Sequence, residues 1–320
     1  MKKTFDYTEY QIFNDFIQMG QKTLKQVMSK ALCKHYGKEN IIETKGFIIA
    51  KGNIPVGLVA HLDTVFSEPP TNIFCDWRKG VMWSPEGLGA DDRAGVFAII
   101  KILLEGYRPT VILTTDEEKG GLGAAALVKR HPKNFLNLKY LIELDRCGSD
   151  DCVFYFDDNM DFVQYVESFG FKESYGTYSD ICEICPVWGI SGVNLSIGYY
   201  SEHTYTERLH IFQMYNTIEK VINMLIEASD DEVPTFEYIE LTELKYRGLY
   251  YPYGFAQVKC AKCGNEFSDF DTIPVYTRDN KIIQYCADCL PNDINWCREC
   301  GEATEGDDLC WRCEQKMMQW

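Results

Sequence analysis

The sequence predicts an α/β protein with a mostly parallel sheet covered by helices on both faces, followed by a small cysteine-rich domain. Between residues 46 and 228, short apolar segments typical of buried strands alternate with amphipathic helical segments, and this alternation favours parallel strands with crossover helices. After Pro234 the alternation stops, and CxxC pairs dominate from Lys259 onward. We therefore expect a first domain over residues 1–235, a linker over 236–255 and a tail domain over 256–320.

The individual elements follow from the spacing of apolar side chains. Apolar residues three or four apart predict helices, and short continuous apolar runs predict strands. In chain order we expect a helix over residues 8–36, strands over 46–51 and 55–60, a helix over 92–103, a strand over 110–115, a helix over 122–130, strands over 140–144 and 153–156, a helix over 161–169, an apolar run over 190–197 and a long helix over 207–228.

Composition disfavours two classes of partner. The chain has 320 residues, with 32 Lys plus Arg against 48 Asp plus Glu, which gives a formal charge of −16. Such a surface repels phosphate backbones and disfavours nucleic acid as the main partner. No apolar stretch approaches the roughly 18 residues needed to span a bilayer. The first residues contain no apolar segment typical of a signal peptide, so we expect a cytoplasmic location without membrane contact.

Polar motifs follow two early predicted elements. His61 and Asp63 end the strand over residues 55–60, and they share one face because they are two residues apart. An imidazole beside a carboxylate is the arrangement of a metal ligand and the group that orients it, although this motif alone is weak. Asp91 and Asp92 follow a glycine-rich turn and begin a helix. N-capping accounts for one of them, which we assign to Asp92, and leaves the carboxylate of Asp91 unexplained.

Further acidic motifs lie at the ends of later strands. Asp116, Glu117 and Glu118 follow an apolar strand and precede two glycines. Three successive acids are harmless in a solvated loop, but at a strand end a divalent cation would convert their repulsion into attraction. Asp145 ends the next strand and can point into the same cleft. His203 lies shortly before the last long helix.

In this order the motifs resemble those of the di-zinc aminopeptidase and aminoacylase superfamily, which includes tripeptidase T, glutamate carboxypeptidase and the single-domain zinc aminopeptidases. The resemblance covers about residues 45–228 and implies a three-layer aminopeptidase-like domain. It also implies that Asp63 and Glu117 are catalytic, with Asp63 holding His61 and Glu117 acting as general base. The implied metal ligands are a bridging Asp91, then His61 and Asp145 at one ion, and Glu118 and His203 at the other.

Elementary chemistry agrees with these implied roles. Two zinc ions roughly 3.5–4 Å apart lower the pKa of a shared water toward about 7, and a carboxylate can take its proton. Imidazole and carboxylate ligands suit zinc, although cobalt or manganese could replace it. The chain departs from the two-domain members because only 58 residues separate Asp145 from His203. We expect two strands and a helix there, and no inserted lid. Tyr200 and Tyr205 are candidates for assisting at the oxyanion because they are near His203.

The tail contains four CxxC pairs, whose eight thiolates are enough for two tetrahedral zinc sites. Pairing of neighbours predicts two consecutive zinc ribbons, although a cross-braced arrangement is also possible. A glycine that follows the second cysteine of a pair suits a tight turn, as at Gly264. Closed sites of this type fold a domain and do not catalyse. The eight structural zinc ligands would be Cys260, Cys263, Cys286, Cys289, Cys297, Cys300, Cys310 and Cys313.

The tail has no charge suited to nucleic acid. From Arg247 onward, 8 Lys plus Arg stand against 12 Asp plus Glu. We therefore expect a module for self-association, for substrate access or for a protein partner. Cys182 and Cys185 form a further CxxC pair, which we interpret as buried thiols.

The leading hypothesis is a di-zinc metallopeptidase of the aminopeptidase type, with two catalytic and two structural zinc ions. One alternative is an N-acyl amino acid deacylase with the same site, so the substrate would be a peptide or an N-acyl amino acid. The other is a catalytically inert adaptor protein that acts through its zinc ribbons. A competent ligand at every implied position argues against the adaptor.

Overall fold

Two units divide the chain, residues Met1–Thr242 and Glu243–Trp320. A computed structural model describes residues 7–229, 233–241, 257–268, 272–279, 281–286, 289–291, 294–297, 303–305, 309–311 and 314.

Helices and strands alternate along the first unit. The helices are α1 (Tyr7–Ile17), α2 (Gln21–Tyr36), α3 (Ala90–Leu104), α4 (Leu122–Arg130), α5 (Met160–Ser168), α6 (Ile181–Trp188) and α7 (Ile211–Ala228). The strands are β1 (Ile41–Glu43), β2 (Phe47–Ala50), β3 (Ile54–His61), β4 (Phe74–Asp76), β5 (Val81–Trp83), β6 (Pro109–Thr114), β7 (Tyr140–Arg146), β8 (Asp151–Val153), β9 (Lys172–Glu173), β10 (Gly192–Ser196), β11 (Tyr199–Tyr200) and β12 (Arg208–His210).

An eight-stranded mixed sheet forms the centre of the described part of this unit, in the order β1-β2-β6-β3-β7-β10-β8-β9. The central strands β6, β3, β7 and β10 are parallel, while β1, β2 and β8 run antiparallel to a neighbour. The carboxyl ends of β6, β3 and β7 therefore meet at one edge of the sheet. The prediction of a mostly parallel mixed sheet is confirmed.

Two apolar cores lie on opposite faces of this sheet, because successive side chains along a strand point to opposite faces. Ile48 of β2 belongs to the core that includes Phe97 of α3 and Met224 of α7. Its neighbour Ile49 belongs to the core that includes Leu127 of α4 and Ile184 of α6. The architecture is therefore a helix–sheet–helix sandwich, the three layers that the sequence predicts.

A second, smaller sheet has the order β11-β12-β5-β4 and is antiparallel throughout. Its strands have only two or three residues, and the sequence analysis missed them. The hairpin of β11 and β12 encloses residues 201–207, so this sheet supports the loop that carries His203.

Three predicted elements differ from the structure. The helix expected over residues 8–36 is two helices, because Gly20 takes an extended conformation before α2. The helix expected from residue 207 begins at Ile211, because residues 208–210 form β12. Residues 236–241, expected to be linker, pack on the first unit: Phe236 is buried, and Glu237 and Glu240 form bridges to Ile190 and Asp157.

The residues between Asp145 and His203 fold as part of the first unit. They contain the helices α5 and α6 and the strands β8 to β11. The expected two strands and one helix were too few. The strands β8 to β10 extend the main sheet and β11 joins the smaller one, while α5 and α6 pack on opposite faces of the main sheet. They form no separate lid within the described residues.

The second unit contains short strands around its cysteines: β13 (Gln257–Lys259), β14 (Glu266–Ser268), β15 (Thr272–Tyr276), β16 (Ile282–Cys286), β17 (Asn295–Trp296) and β18 (Ala303–Thr304). The hairpin of β13 and β14 contains Cys260 and Cys263, and Gly264 has a φ of 73°, as the predicted tight turn requires. Cys297 and Cys310 are buried beside Tyr276. Cys300 and Cys313 lie outside the described residues.

None of the described helices has both the length and the apolar character needed to cross a membrane.

Candidate metal centre

The centre lies at the carboxyl ends of three adjacent parallel strands. His61 is the last residue of β3, Asp145 lies near the end of β7, and a short 3₁₀ helix over Glu117–Lys119 follows β6. Open α/β sheets build their sites at this edge because loops from neighbouring strands converge there. The sheet therefore brings together motifs that are up to 84 residues apart in the sequence.

The His61 imidazole is fully buried among carboxylates. Its Nε2 lies 3.0 Å from Oδ1 of Asp91 and 3.4 Å from Oδ1 of Asp145, while its Nδ1 lies 3.4 Å from Oδ1 of Asp63. Burial alone would lower its pKa, but these carboxylates outweigh burial and raise the pKa of His61 well above the usual range. One ring nitrogen thus faces two carboxylates, and the other lies near a third.

The His203 imidazole approaches the same aspartate from the opposite side. Its Nε2 lies 3.1 Å from Oδ2 of Asp91 and 3.2 Å from Oε2 of Glu118. Hydrogen bonds that the imidazole donates to Asp91 and Glu118 raise the pKa of His203 to about 10. His203 has a φ of 62°, a conformation that few residues other than glycine adopt.

Asp91 therefore lies between the two imidazoles, with one carboxylate oxygen toward each. Burial would raise its pKa, but hydrogen bonds from His203 and His61 hold the pKa of Asp91 well below the usual range. The Asp91–Asp92 peptide bond is cis. The neighbouring Asp92 caps the regular part of α3, because its Oδ1 accepts the Gly95 N–H at 2.8 Å, in agreement with the role expected for it.

The acidic turn after β6 is held by Asp63. The Glu117 and Glu118 N–H groups donate to Oδ1 and Oδ2 of Asp63 at 3.0 and 3.1 Å. Oε1 of Glu118 is buried and has no hydrogen-bond partner among the described residues. Burial raises the pKa of Glu117 to about 7, so that carboxyl can exchange a proton near neutral pH.

Asp145 is fixed by groups from β10 and β11. Its Oδ1 accepts the Tyr199 hydroxyl at 3.1 Å, and its backbone N–H donates to the Asn194 side chain at 2.9 Å. The tyrosine that reaches this cluster is therefore Tyr199, not the expected Tyr200 or Tyr205. Tyr200 donates its hydroxyl to Gln213, and Tyr205 is 71% exposed.

The sequence analysis missed two buried charged residues beside the cluster. Arg93 donates to the carbonyls of Leu62 and Asp63 at 2.6 and 3.0 Å, and burial lowers its pKa to about 10. Glu207 accepts backbone N–H groups of the turn before α3, and burial raises its pKa to about 7. Arg93 directly follows the predicted Asp91-Asp92 pair, so its position was a usable signal. Glu207 had no such signal, because its partners lie more than 100 residues away.

The donor set fits divalent cations. Three groups at this centre have all their ligand atoms within 4.8 Å of one another: Asp91, Glu118 and His203; His61, Asp92 and Asp145; and His61, Glu117 and Glu118. Glu143 is also fully buried nearby, and burial raises its pKa to about 8. So many buried carboxylates repel one another, and bound cations would relieve that repulsion.

Four thiols of the second unit form a separate group. The Sγ atoms of Cys260, Cys263, Cys286 and Cys289 lie within 4.8 Å of one another, as a four-thiolate zinc site requires. Hydrogen bonds lower the pKa of the Cys260 thiol to about 6, and the bond from the Cys263 backbone contributes most. This cluster fits a zinc ribbon. Of the two thiols predicted to be buried, Cys185 is buried and Cys182 is partly exposed, and burial raises the pKa of both.

Several solved structures with a similar fold are peptidases. The structure of aminopeptidase PepT from Bacillus cereus matches with a TM-score of 0.55 and 16% identity, covering 69% of this chain and 98% of that chain. A tripeptidase from Staphylococcus aureus gives a TM-score of 0.55 at 13% identity, with 69% and 98% covered. The LapA aminopeptidase of Legionella pneumophila gives 0.51 at 15% identity, with 69% and 70% covered. The protein thus has the fold of this class of metallohydrolase.

Part of the chain also matches a family model. Residues 50–175 match the model of peptidase family M28, a segment that includes His61, Asp91, Glu118 and Asp145. No curated protein sequence matches the chain. The family match and the fold confirm the prediction of a zinc-dependent hydrolase that resembles the aminopeptidases.

Proposed function

We propose that the protein is a di-metal metallopeptidase that cleaves the first peptide bond of peptides with a free amino terminus. The observation that carries this proposal is the position of Asp91, whose two carboxylate oxygens face two different imidazoles at 3.0 and 3.1 Å. A carboxylate that bridges two cations needs a partner ligand on each side, and His61 and His203 supply them.

Each half of the centre has its own ligands. His61 and Asp145 would complete the half on one side of Asp91, and Glu118 and His203 the half on the other side. The partnerless Oε1 of Glu118 supports this assignment, because a buried carboxylate oxygen without a donor is costly unless a cation approaches it. Zinc is the proposed metal, and cobalt or manganese could replace it.

The protein's own residues supply the remaining chemistry. Bound at these ligands, the two ions would lower the pKa of a water and polarise the scissile carbonyl. Asp63 holds the His61 ring in the orientation that turns Nε2 toward Asp91 and Asp145. Glu117 would take a proton from the attacking water and return it to the leaving amine.

The tail would bind two structural zinc ions. Cys260, Cys263, Cys286 and Cys289 form the first proposed site. Cys297 and Cys310 belong to the second, together with Cys300 and Cys313. The tail's proposed role is contact with a protein partner or with a second copy of the chain, in keeping with its acidic composition.

A substrate comparison tests this function. The zinc-loaded protein is incubated with a short peptide, with the same peptide acetylated at its amino terminus, and with N-acetyl amino acids. The proposal expects cleavage of the free peptide only. Cleavage of the N-acetyl amino acids alone would favour the deacylase.

A variant separates catalysis from the adaptor function. Glu117→Gln should bind the same number of ions and lose cleavage. A wild-type protein that binds both ions and cleaves none of these substrates would contradict the proposed function.

A further inference from the structure

Glu207 connects the two loops that carry Asp91 and His203. Its side chain is fully buried, and its Oε1 accepts the Asp91 N–H at 3.0 Å while Oε2 accepts the Gly89 N–H at 2.5 Å. The Glu207 N–H in turn donates to the carbonyl of Thr204, the residue that follows His203. One carboxylate therefore ties the backbone of one candidate ligand to the loop of another.

The turn before Asp91 depends on such support. Gly87 and Gly89 both have positive φ values, of 85° and 67°. Asp91 itself is not helical, with φ −78° and ψ 105°, so the hydrogen-bond ladder of α3 does not hold its backbone. Glycine-rich turns are conformationally permissive, and the Glu207 carboxylate fixes two N–H groups of this one.

The loop of His203 depends on the same tie. Ser201 and His203 have positive φ values of 57° and 62° in a hairpin loop between two very short strands. The His61 half of the centre is held differently, because His61 and Asp145 lie on the adjacent strands β3 and β7 of the main sheet. The main sheet therefore holds the ligands of the His61 half more firmly than the hairpin loop holds His203.

Burying the Glu207 carboxylate costs free energy, and its two hydrogen bonds to backbone N–H groups offset only part of that cost. We propose that Glu207 is a positioning residue that sets the separation between Asp91 and His203, and that it thereby determines the affinity of the half-site formed by Asp91, Glu118 and His203. Glu207 touches neither substrate nor ion. This inference rests on the proposed di-metal function.

The test uses Mn²⁺ binding to the full chain with its structural zinc in place. Carboxylates and imidazoles accept Mn²⁺, whereas thiolates select softer ions, so the tail does not interfere. Equilibrium titration gives the two affinities, and electron paramagnetic resonance detects the magnetic coupling between neighbouring Mn²⁺ ions. The variant is Glu207→Gln, which keeps the size of the side chain, and the control is Glu219→Gln on the exposed face of α7.

Wild type and Glu219→Gln should each bind two coupled Mn²⁺ ions. Glu207→Gln should bind the first ion as wild type does. It should bind the second about 10- to 100-fold more weakly, a range typical of groups that orient metal ligands. The signal from magnetically coupled ions should be lost. A purely structural role would instead lower the melting temperature of the metal-free protein and weaken both ions equally, which would overturn the inference. Two unchanged affinities would also overturn it.

A second variant covers the case in which Glu207→Gln does not fold. Glu207→Asp keeps the charge and shortens the side chain by one methylene, so it should weaken the second ion selectively but less. If it binds both ions as wild type does, the inference is wrong. A wild-type chain that binds no Mn²⁺ pair would contradict the proposed function itself, and this outcome is separate from a failure of the variants.

Discussion

The backbone N–H of Glu117 donates to Oδ1 of Asp63 at 3.0 Å, and Oδ2 of the same carboxylate accepts the N–H of Glu118. Asp63 therefore does more than orient the His61 ring, the role implied by resemblance. It also fixes the backbone of the acidic turn that follows β6. The proposed base and one proposed ligand on each side of Asp91 share this single support.

Replacing Asp63 should therefore affect both metal affinity and catalysis. Asp63→Asn removes one carboxylate acceptor while keeping the side-chain volume, and we expect metal affinity to fall about 10- to 100-fold. The turnover of the fully loaded variant should also fall, because one of the two N–H groups of the acidic turn that carries Glu117 loses its acceptor. Metal titration and steady-state kinetics at saturating zinc measure the two effects. Normal turnover at saturating metal would mean that Asp63 orients His61 and does not support catalysis through the acidic turn.

Replacing Glu117 should remove catalysis without removing metal. In Glu117→Gln the carboxyl that exchanges a proton is gone, and general acid–base catalysis typically contributes about 10²- to 10⁴-fold. We expect turnover to fall within that range at unchanged zinc content. Asp116→Asn, at the start of the same turn, is the matched control and should keep turnover close to wild type. Equal losses in both variants would indicate a disturbed turn instead of a missing base.

Elemental analysis should separate the two kinds of metal site. The wild-type chain should contain about four zinc ions, two in the centre and two in the tail. Asp91→Ala should contain about two, because both halves lose their shared ligand. Cys260→Ser should lose one ion from the tail and keep those of the centre. A chain with about two ions that survive Asp91→Ala would mean that the centre is empty as purified.

Removal of metal should make stability fall as pH rises. Burial raises the pKa values of Glu117, Glu143, Asp180 and Glu207 to about 7, 8, 6 and 7. Between about pH 4 and 8 the folded state therefore binds more protons than the unfolded state, and each such acid destabilises the fold as pH increases through this window. Above these pKa values the loss is complete.

Thermal unfolding of the metal-free protein at about pH 5.5 and pH 8 measures this effect. We expect a lower melting temperature at the higher pH. Added zinc should raise the melting temperature most at pH 8, since the carboxylates are then ionised. Glu143→Gln should flatten the profile because it removes one of the titrating groups. A melting temperature that increases toward pH 8 without metal would contradict this prediction.

The positions of His61, Glu118 and Asp145 could be predicted from the sequence because each lies at the end of a buried strand or just after it, whereas Asp91 and His203 follow turns and very short strands. Strands such as β3, which is buried along almost its whole length, give a clear apolar run, and its end fixes the place of His61. The parallel order of β6, β3 and β7 then requires the three following loops to converge. Periodicity and sheet geometry thus placed these loops together, whereas the metal-ligand roles of their side chains were implied by the family resemblance.

The supporting contacts could not be predicted, because they join short elements that are distant in sequence. Strands of two or three residues, such as β11, give no measurable alternation. Without the register of β11 and β12, nothing indicated that Tyr199 points inward and that Tyr200 does not. Glu207 likewise resembles any acid in a polar loop until its partners, Gly89 and Asp91, are known.

The order of the ligands along the chain has a consequence for synthesis on the ribosome. All ligands of the His61 half have been synthesised once Asp145 has been translated, whereas His203 follows 58 residues later. Its loop is anchored by β12, which pairs with the much earlier β5. A nascent chain that ends between these points can contain only one half-site. If hydrolysis requires both half-sites, most of the first unit has been synthesised before the nascent chain can cleave other polypeptides that emerge nearby.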